Sequence, residues 1–340
     1  MFHVGLDIHN TRISICVLDE AGQVAHRSQV RTIEEMLRTL RGLPGPFEVG
    51  YEASCGYGHD HDLLHPLAAR VLVAHPGRLR LIFRSKDKND RNDAERLAKL
   101  LYLGETPAVH VPSPEVRAWR ELINCRGQVV AKRTRAKNTV RALLRGAGVV
   151  PPKRPGLWTR AGLKRLRGLD LPTASQQLRR DLLLEEIDAL TRQVRRIEEE
   201  LNRQARKTPA VALLRSIPGV GARTAEAVAA FVDDPHRFRN AKAVGRYFGL
   251  VPCQDQSGER NRLGHITREG APVVRQLLAE AAWQAIRRSA TVRAFYERTH
   301  REDPQRQKVA LVATAHYLVR VMWAMLRHGT AWRESTTRAA

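Results

Sequence analysis

Three short apolar-rich runs open the chain, His3–His9, Arg12–Leu18 and Val24–Arg31, with polar turns at Asn10-Thr11 and Glu20-Ala-Gly22 between them. Turns that short predict three strands in an antiparallel meander. A helical pattern follows over Thr32–Leu43, with Thr32 at the N-cap and Glu35 three residues later in capping-box register. The pattern then predicts a strand over Phe47–Glu52, a helix over His61–Arg70, a strand over Val71–His75 and a helical segment over Asp90–Leu101. A hairpin trio followed by alternating helix and strand makes a mixed α/β layer with helices on its faces.

Past Ser113 the strand signal ends. Residues 113–146 read as one long basic helix or two, followed by the irregular Pro151–Gly156 segment. Leu183, Ile187, Leu190, Val194, Ile197 and Leu201 are then spaced 4-3-4-3-4, a heptad seam flanked by Arg and Glu. Such a seam serves a coiled coil between chains or a long helix packed on its own chain. Ile217-Pro218-Gly219-Val220-Gly221 between two helical stretches has the helix-hairpin-helix layout, in which glycines let backbone N–H groups approach a phosphate. A plain interhelical turn is the other reading. Val309–Leu326 is mainly apolar and reads as a core helix. The expected domains are 1–112 (α/β), 113–206 (basic and coiled-coil linker) and 207–330 (all-α), with a tail at 331–340.

Composition adds the partner. Of 340 residues 43% are hydrophobic, which sets the chain among globular proteins, and 58 Lys and Arg against 35 Asp and Glu give a net charge of +23. That excess points to a polyanion. More than half of it, a net +12, lies between Ser113 and Asp170, where 15 basic residues meet 3 acidic ones. Arg126, Lys132, Arg133, Arg135, Lys137 and Arg141 carry much of it, with Trp119 and Trp158 near the ends. Basic side chains at helical spacing can track an A-form backbone, and aromatics can stack on unpaired bases. No apolar run reaches the roughly 20 residues of a membrane-spanning helix, so a membrane partner is not expected. The amino terminus enters a strand without a signal-peptide layout, and four scattered cysteines, Cys16, Cys55, Cys125 and Cys253, read as thiols of a reducing cytoplasm.

Four carboxylates bring chemistry. Asp7 ends one predicted strand's apolar run and Glu52 another, while Asp90 and Asp93 open a helix three residues apart. At that spacing both share one helix face, with Cβ atoms roughly 5–6 Å apart. Gathered in one cleft, four carboxylates need a cation, and hard oxygen donors suit Mg²⁺, or Mn²⁺ in its place. His59, His61 and His65 form a second cluster, a solvated loop or, at the i, i+4 spacing of the last two, a zinc pair. Gln256-Ser257-Gly258, followed by Arg260 and Arg262, reads on chemistry alone as a turn serine bonding its neighbours, or as a hydroxyl offered to phosphate.

Gly5-Leu-Asp7, Tyr51-Glu52-Ala, Asn89-Asp90-Arg-Asn-Asp93-Ala94, Ile217-Pro-Gly-Val-Gly221, Gly249-Leu-Val-Pro252, Gln256-Ser257-Gly258 and Gly264-His-Ile-Thr-Arg-Glu-Gly270 occur in that order. From about residue 2 to about residue 328 the chain resembles the DEDD transposases of insertion sequences, the Piv-invertase-like group of bridge-RNA-guided recombinases. The resemblance implies an RNase H/RuvC-like amino-terminal domain with Asp7, Glu52, Asp90 and Asp93 as its metal-binding tetrad. It implies Ser257 as nucleophile, forming a 5′-phosphoserine bond to DNA, and a bridge RNA that selects donor and target. It further implies a homo-oligomer, a dimer assembling to a tetramer, in which one protomer's acidic domain meets another's serine domain. A RuvC-like nuclease using water, and a nucleic-acid-binding protein without catalysis, are the alternatives. After Gly270 the family carries Asn and then Leu-Arg, whereas Ala271-Pro272-Val273-Val274-Arg275 stands here, so a different helix start is expected.

Overall fold

The computed structural model describes residues 1–83, 90–151, 154, 156–257 and 260–334, and for Asp90, Arg91, Ser257, Arg260 and Asn261 the backbone alone. Most of the expected tail and part of the 151–156 segment lie outside the described residues. The chain divides into two compact units, Met1–Arg117 and Ala118–Ala340.

In the first unit β1 (Phe2–His9), β2 (Arg12–Leu18) and β3 (Val24–Val30) form the meander, followed by α1 (Ile33–Arg41), β4 (Phe47–Glu52), α2 (Tyr57–Leu64), β5 (Arg70–Ala74), α3 (Pro76–Ile82) and α4 (Asp90–Tyr102). The sheet order is β3-β2-β1-β4-β5, antiparallel through the meander and parallel from β1 to β4 to β5. Thr32 and Glu35 form the reciprocal capping box that starts α1. On one face Val4, Leu6, Ile15, Val17, Val49 and Tyr51 pack under Met36 and Leu40 of α1 and Leu64 of α2. On the other, Cys16 and Leu18 pack under Ala94 and Ala98 of α4. Helix α2 differs from expectation, lying four residues earlier and stopping at Leu64. Gly56, at φ 88°, admits the chain to it. Pro66 closes it: His65 is still helical at φ −55° and ψ −38°, but Pro66 has no N–H to donate to the Asp62 carbonyl, so the ladder stops there.

The second unit begins inside α5 (Pro114–Gly146), a single helix of 33 residues. There follow α6 (Arg160–Arg167), α7 (Ala174–Arg206), α8 (Pro209–Leu214), α9 (Ala222–Val232), α10 (Ala241–Tyr247), strands β6 (Pro252–Ser257) and β7 (Arg260–Ile266), α11 (Pro272–Arg288), α12 (Ala290–His300) and α13 (Gln307–His328). The seam of α7 faces its own chain, with Leu184 buried at its start and Leu183, the first position of the expected seam, only partly covered. Leu184 and Ile187 pack with Val140 and Leu144 of α5, Leu190 and Val194 with Val129, and Leu201 joins the core of α8–α13. The expected linker and carboxyl-terminal domain therefore share one unit. That unit is not all-α, because β6 and β7 pair as an antiparallel hairpin. The stretch Pro304–His328 is long and apolar enough to cross a membrane by length and composition, but α13 buries Ala315, Leu318, Val319 and Met322 in the core.

Candidate metal centre and serine hairpin

Register places the first two carboxylates. Leu6 of β1 pairs with Tyr51 of β4 in parallel, so Asp7 and Glu52 are the next residues on adjacent strands about 4.8 Å apart. Alternation puts Asp7 on the face of Gly5 and Glu52 on the face of Gly50, and both glycines meet α4. A Cβ on Gly5 would lie 2.0 Å from the Ala94 carbonyl oxygen, and one on Gly50 3.1 Å from the Leu101 side chain. The α4 backbone thus lies directly on β1, and only glycine fits.

Direction places the other two. Tyr102 meets His3 edge-on at 5.4 Å between ring centroids, so α4 ends near the start of β1 and begins near its end. Asp90 precedes Ala94 by one turn, about 6 Å along the axis. Asp7 lies two residues past Gly5, about 6.6 Å along the strand. The Asp90 backbone therefore comes roughly level with Asp7, on the helix line of Ala94, Leu97 and Leu101 that faces the sheet.

Side chains refine this. Asp7 is largely buried, its Oδ2 3.3 Å from His9 Nε2. Asp93 Oδ1 accepts from Arg96 Nη1 at 3.0 Å. Glu52 is exposed at the rim, while Glu48, on the same face of β4, is buried and held by Arg70 at 2.6 Å and His3 at 2.8 Å. The same residue type thus has two uses, a buried ion pair at one end of β4 and an open oxygen donor at the other. Among the described residues no group of three or more His, Cys, Asp or Glu stands close enough to hold a metal ion, so Asp7, Glu52 and Asp93 share one end of the sheet without converging. Like charges repel, and Asp7 and Asp93 each have a local nitrogen partner instead. The donor set, all carboxylate oxygen on a fixed frame, suits a hard divalent cation. His61 and His65 stand ring to ring at 5.4 Å, and burial lowers the pKa of His61. They belong to no metal-binding group among the described residues.

In the second unit Ser257 is the last residue of β6, paired with Arg260 across the turn end of the hairpin. Pro252–Gln256 and Arg262–His265 are exposed throughout. The two glycines of the helix-hairpin-helix layout differ. Gly219 sits at φ 92°, where a Cβ would come within 2.5 Å of the Ala285 backbone nitrogen, so packing on α11 demands it. Gly221 opens α9 with nothing near it. Of the basic set, Lys132, Arg135 and Arg141 are exposed. Arg126 instead pairs with Glu198 at 2.6 Å. Trp119 is buried in the core and cannot take a base, because its ring fills the α5 side of that core. Trp158 is only half-buried, with Lys137 and Arg141 over its ring at 5.1 and 5.5 Å. Burial, with Arg133 and Arg141 nearby, lowers the Lys137 pKa.

Glu226 escaped the sequence, and Arg275 entered it only as the end of the altered motif after Gly270. Glu226 of α9 is 1% exposed beside Arg223 at 2.9 Å, and burial outweighs that pairing, pushing its carboxyl up to about 7. Arg275, three residues into α11 after Pro272 at its first turn, bonds the carbonyls of Phe248, Glu269 and Gly270. The helix start that the departure after Gly270 foreshadowed is thus a proline N1 position.

Two transposase family models match these regions. One, described as Transposase and of the DEDD type, spans residues 4–148 and takes in all four carboxylates; the other, Transposase IS116/IS110/IS902 family, spans 211–297 and takes in Ser257. The chain is 29% identical over 336 residues to a probable family 20 transposase of Pseudomonas aeruginosa, covering 97% of this chain and 98% of that one. It is 27% identical to the transposase for insertion sequence element IS1111A of Coxiella burnetii, over 97% of this chain and 91% of the relative. It is 26% identical to the transposase for element IS1328 of Yersinia enterocolitica, over 97% and 98%. Unit by unit, then, the chain is built as a DNA transposase. Both matches, and the names of these relatives, point to the DEDD transposases of insertion sequences.

Proposed function

We propose that this transposase cuts and rejoins DNA through a serine–DNA bond, with Ser257 as nucleophile and Asp7, Glu52, Asp90 and Asp93 holding Mg²⁺ or Mn²⁺. The observation that carries this reading is the register of Asp7 beside Glu52 at the carboxyl ends of paired strands, with the first turn of α4 at the same end. The sheet order β3-β2-β1-β4-β5, antiparallel then parallel, supports an RNase H/RuvC-like assignment. When bound, a divalent cation at this rim would neutralise charge on the scissile phosphate and polarise it. The Ser257 hydroxyl attacks phosphorus, a 5′-phosphoserine bond forms and a 3′-hydroxyl departs. The 3′-hydroxyl of the exchanged strand later attacks that bond, restoring DNA and serine with no external energy source.

Choice of donor and target DNA falls, in this reading, to a bridge RNA. The exposed α5 residues Lys132, Arg135 and Arg141, with Arg133, Lys137 and the Trp158 ring, support an RNA-backbone contact. Arg260 and Arg262 on the strand paired with Ser257, and Gly221 at the start of α9, are proposed DNA contacts. Homo-oligomerisation, a dimer assembling to a tetramer, rests on the family resemblance, since the heptad seam is covered within the chain.

A denaturing gel of Ser257→Ala against the parent, with DNA and guide RNA, tests the reading. The parent should give a protein–DNA band that survives denaturation; the variant should give none, with cutting reduced at least about 10³-fold, roughly 4 kcal/mol of barrier. Full-rate cutting by the variant would assign the attack to water and make this a RuvC-like nuclease. Binding without cutting by the parent would leave a nucleic-acid-binding protein that keeps only the fold.

A further inference from the structure

We propose that Arg275 is a positioning residue for the nucleophile: it fixes the direction of the β6–β7 hairpin and so where Ser257 stands, an inference that rests on Ser257 being the attacking group. A two-stranded hairpin is marginally stable at best on its own, and this one is exposed at Pro252–Gln256 and Arg262–His265. Its direction is therefore set at its base. There the Thr267 N–H donates to the Val251 carbonyl at 2.9 Å and the Arg268 N–H to the Gly249 carbonyl at 3.2 Å. The two legs touch closely, since a Cβ on Gly249 would lie 2.4 Å from the Glu269 backbone nitrogen.

Arg275 ties these legs to α11. Its Nη1 donates to the carbonyl of Phe248 on the incoming leg at 3.3 Å and of Gly270 on the outgoing leg at 3.1 Å, and it also bonds the Glu269 carbonyl. Phe248 is fully buried, so the clamp joins the hairpin to the core. Hydrogen bonds from a charged donor are roughly twice as strong as neutral ones. Leverage magnifies any slack. Six residues of β6 span about 20 Å, so a tilt of about 10° at the base moves the tip roughly 3 Å. A misplacement of about 1 Å can cost about 100-fold in rate.

Full-length Arg275→Met and Arg275→Lys, assayed with the same DNA and guide RNA, test the clamp. The Met variant should cut roughly 30- to 100-fold more slowly at unchanged DNA affinity. Its Thr267 and Arg268 amides should exchange faster while those of α11 and α13 keep their protection. Lysine, a point charge with three donors, should recover cutting to within about fivefold. Cutting by the Met variant within twofold of the parent, while Ser257→Ala stays inactive, would overturn the clamp and leave the serine reading intact. Unchanged exchange at Thr267 and Arg268, or protection lost equally across α11 and α13, would overturn it too, the latter marking plain fold support. Full-rate cutting by Ser257→Ala would instead remove the serine reading, and with it the positioning role.

Discussion

Asp7 and Glu52 stand on strands packed on both faces, whereas Ser257 ends a hairpin exposed at Pro252–Gln256 and Arg262–His265. Carboxylates that share a cation must keep fixed distances, and a sheet layered between helices supplies that rigidity. A hydroxyl that attacks and is later released needs reach instead, and an exposed hairpin aimed from its base supplies reach. The contrast shows in backbone contacts as well. Gly5 lies against the α4 backbone at the rim, while a Cβ on Gly264 of β7 would meet only Cys253 of the paired strand, at 3.8 Å.

The largest stability effect should come from breaking the rigid side of this contrast. Gly5→Ala places a Cβ 2.0 Å from the Ala94 carbonyl and 2.5 Å from the Ala98 nitrogen, both backbone atoms that cannot swing away. The α4 helix must lift, and urea unfolding should show a loss of more than about 3 kcal/mol.

Next comes the buried charge of the second unit. The Glu226 carboxyl rises from 4.5 to about 7 because it is buried, against the pull of Arg223. Between those values the folded chain holds a proton that the unfolded chain has released, so stability present below about pH 4.5 is lost as pH rises through 7, by roughly 3 kcal/mol. Glu226→Gln is neutral throughout and should flatten that part of the slope in unfolding measured at pH 5 and pH 8. Equal slopes in parent and variant would show that Glu226 is not the group responsible.

The smallest effect sharpens the contrast from the other side. Leu263 on β7 is 67% exposed, and Leu263→Ala should change stability by no more than about 0.5 kcal/mol in the same assay. A cost like that of Gly5→Ala would mean the hairpin packs on something.

How far these regions were legible follows from what periodicity records, which is burial. β1, β2 and β4 could be read because each buries at least one face, and on β1 and β4 the apolar run ends at the carboxylate; β3, exposed along most of its length, could be read from the short turn before it. The β6–β7 hairpin could not, since Gln254, Asp255, Gln256 and Arg262 face solvent and leave no alternation to find. Glu226 looks like an ordinary helical charge until α9 is seen to be buried from Thr224 to Val232. Arg275 stood out only as the end of an altered motif, because its partners are backbone carbonyls that no side-chain pattern marks. Gly219 was assigned to phosphate approach, and the neighbouring α11 backbone supplies a different reason for it. Asp90 was singled out by its helical spacing to Asp93 and Ser257 by the family resemblance, and their side chains lie outside the described residues.

Mn²⁺ binding to the full chain, followed by electron paramagnetic resonance without DNA, bears most directly on the rim of carboxylates. Asp7→Asn and Glu52→Gln should each weaken binding by tenfold or more, about 1.4 kcal/mol, with the fold unchanged. Superimposable isotherms for the parent and both variants would contradict a metal centre at the ends of β1 and β4.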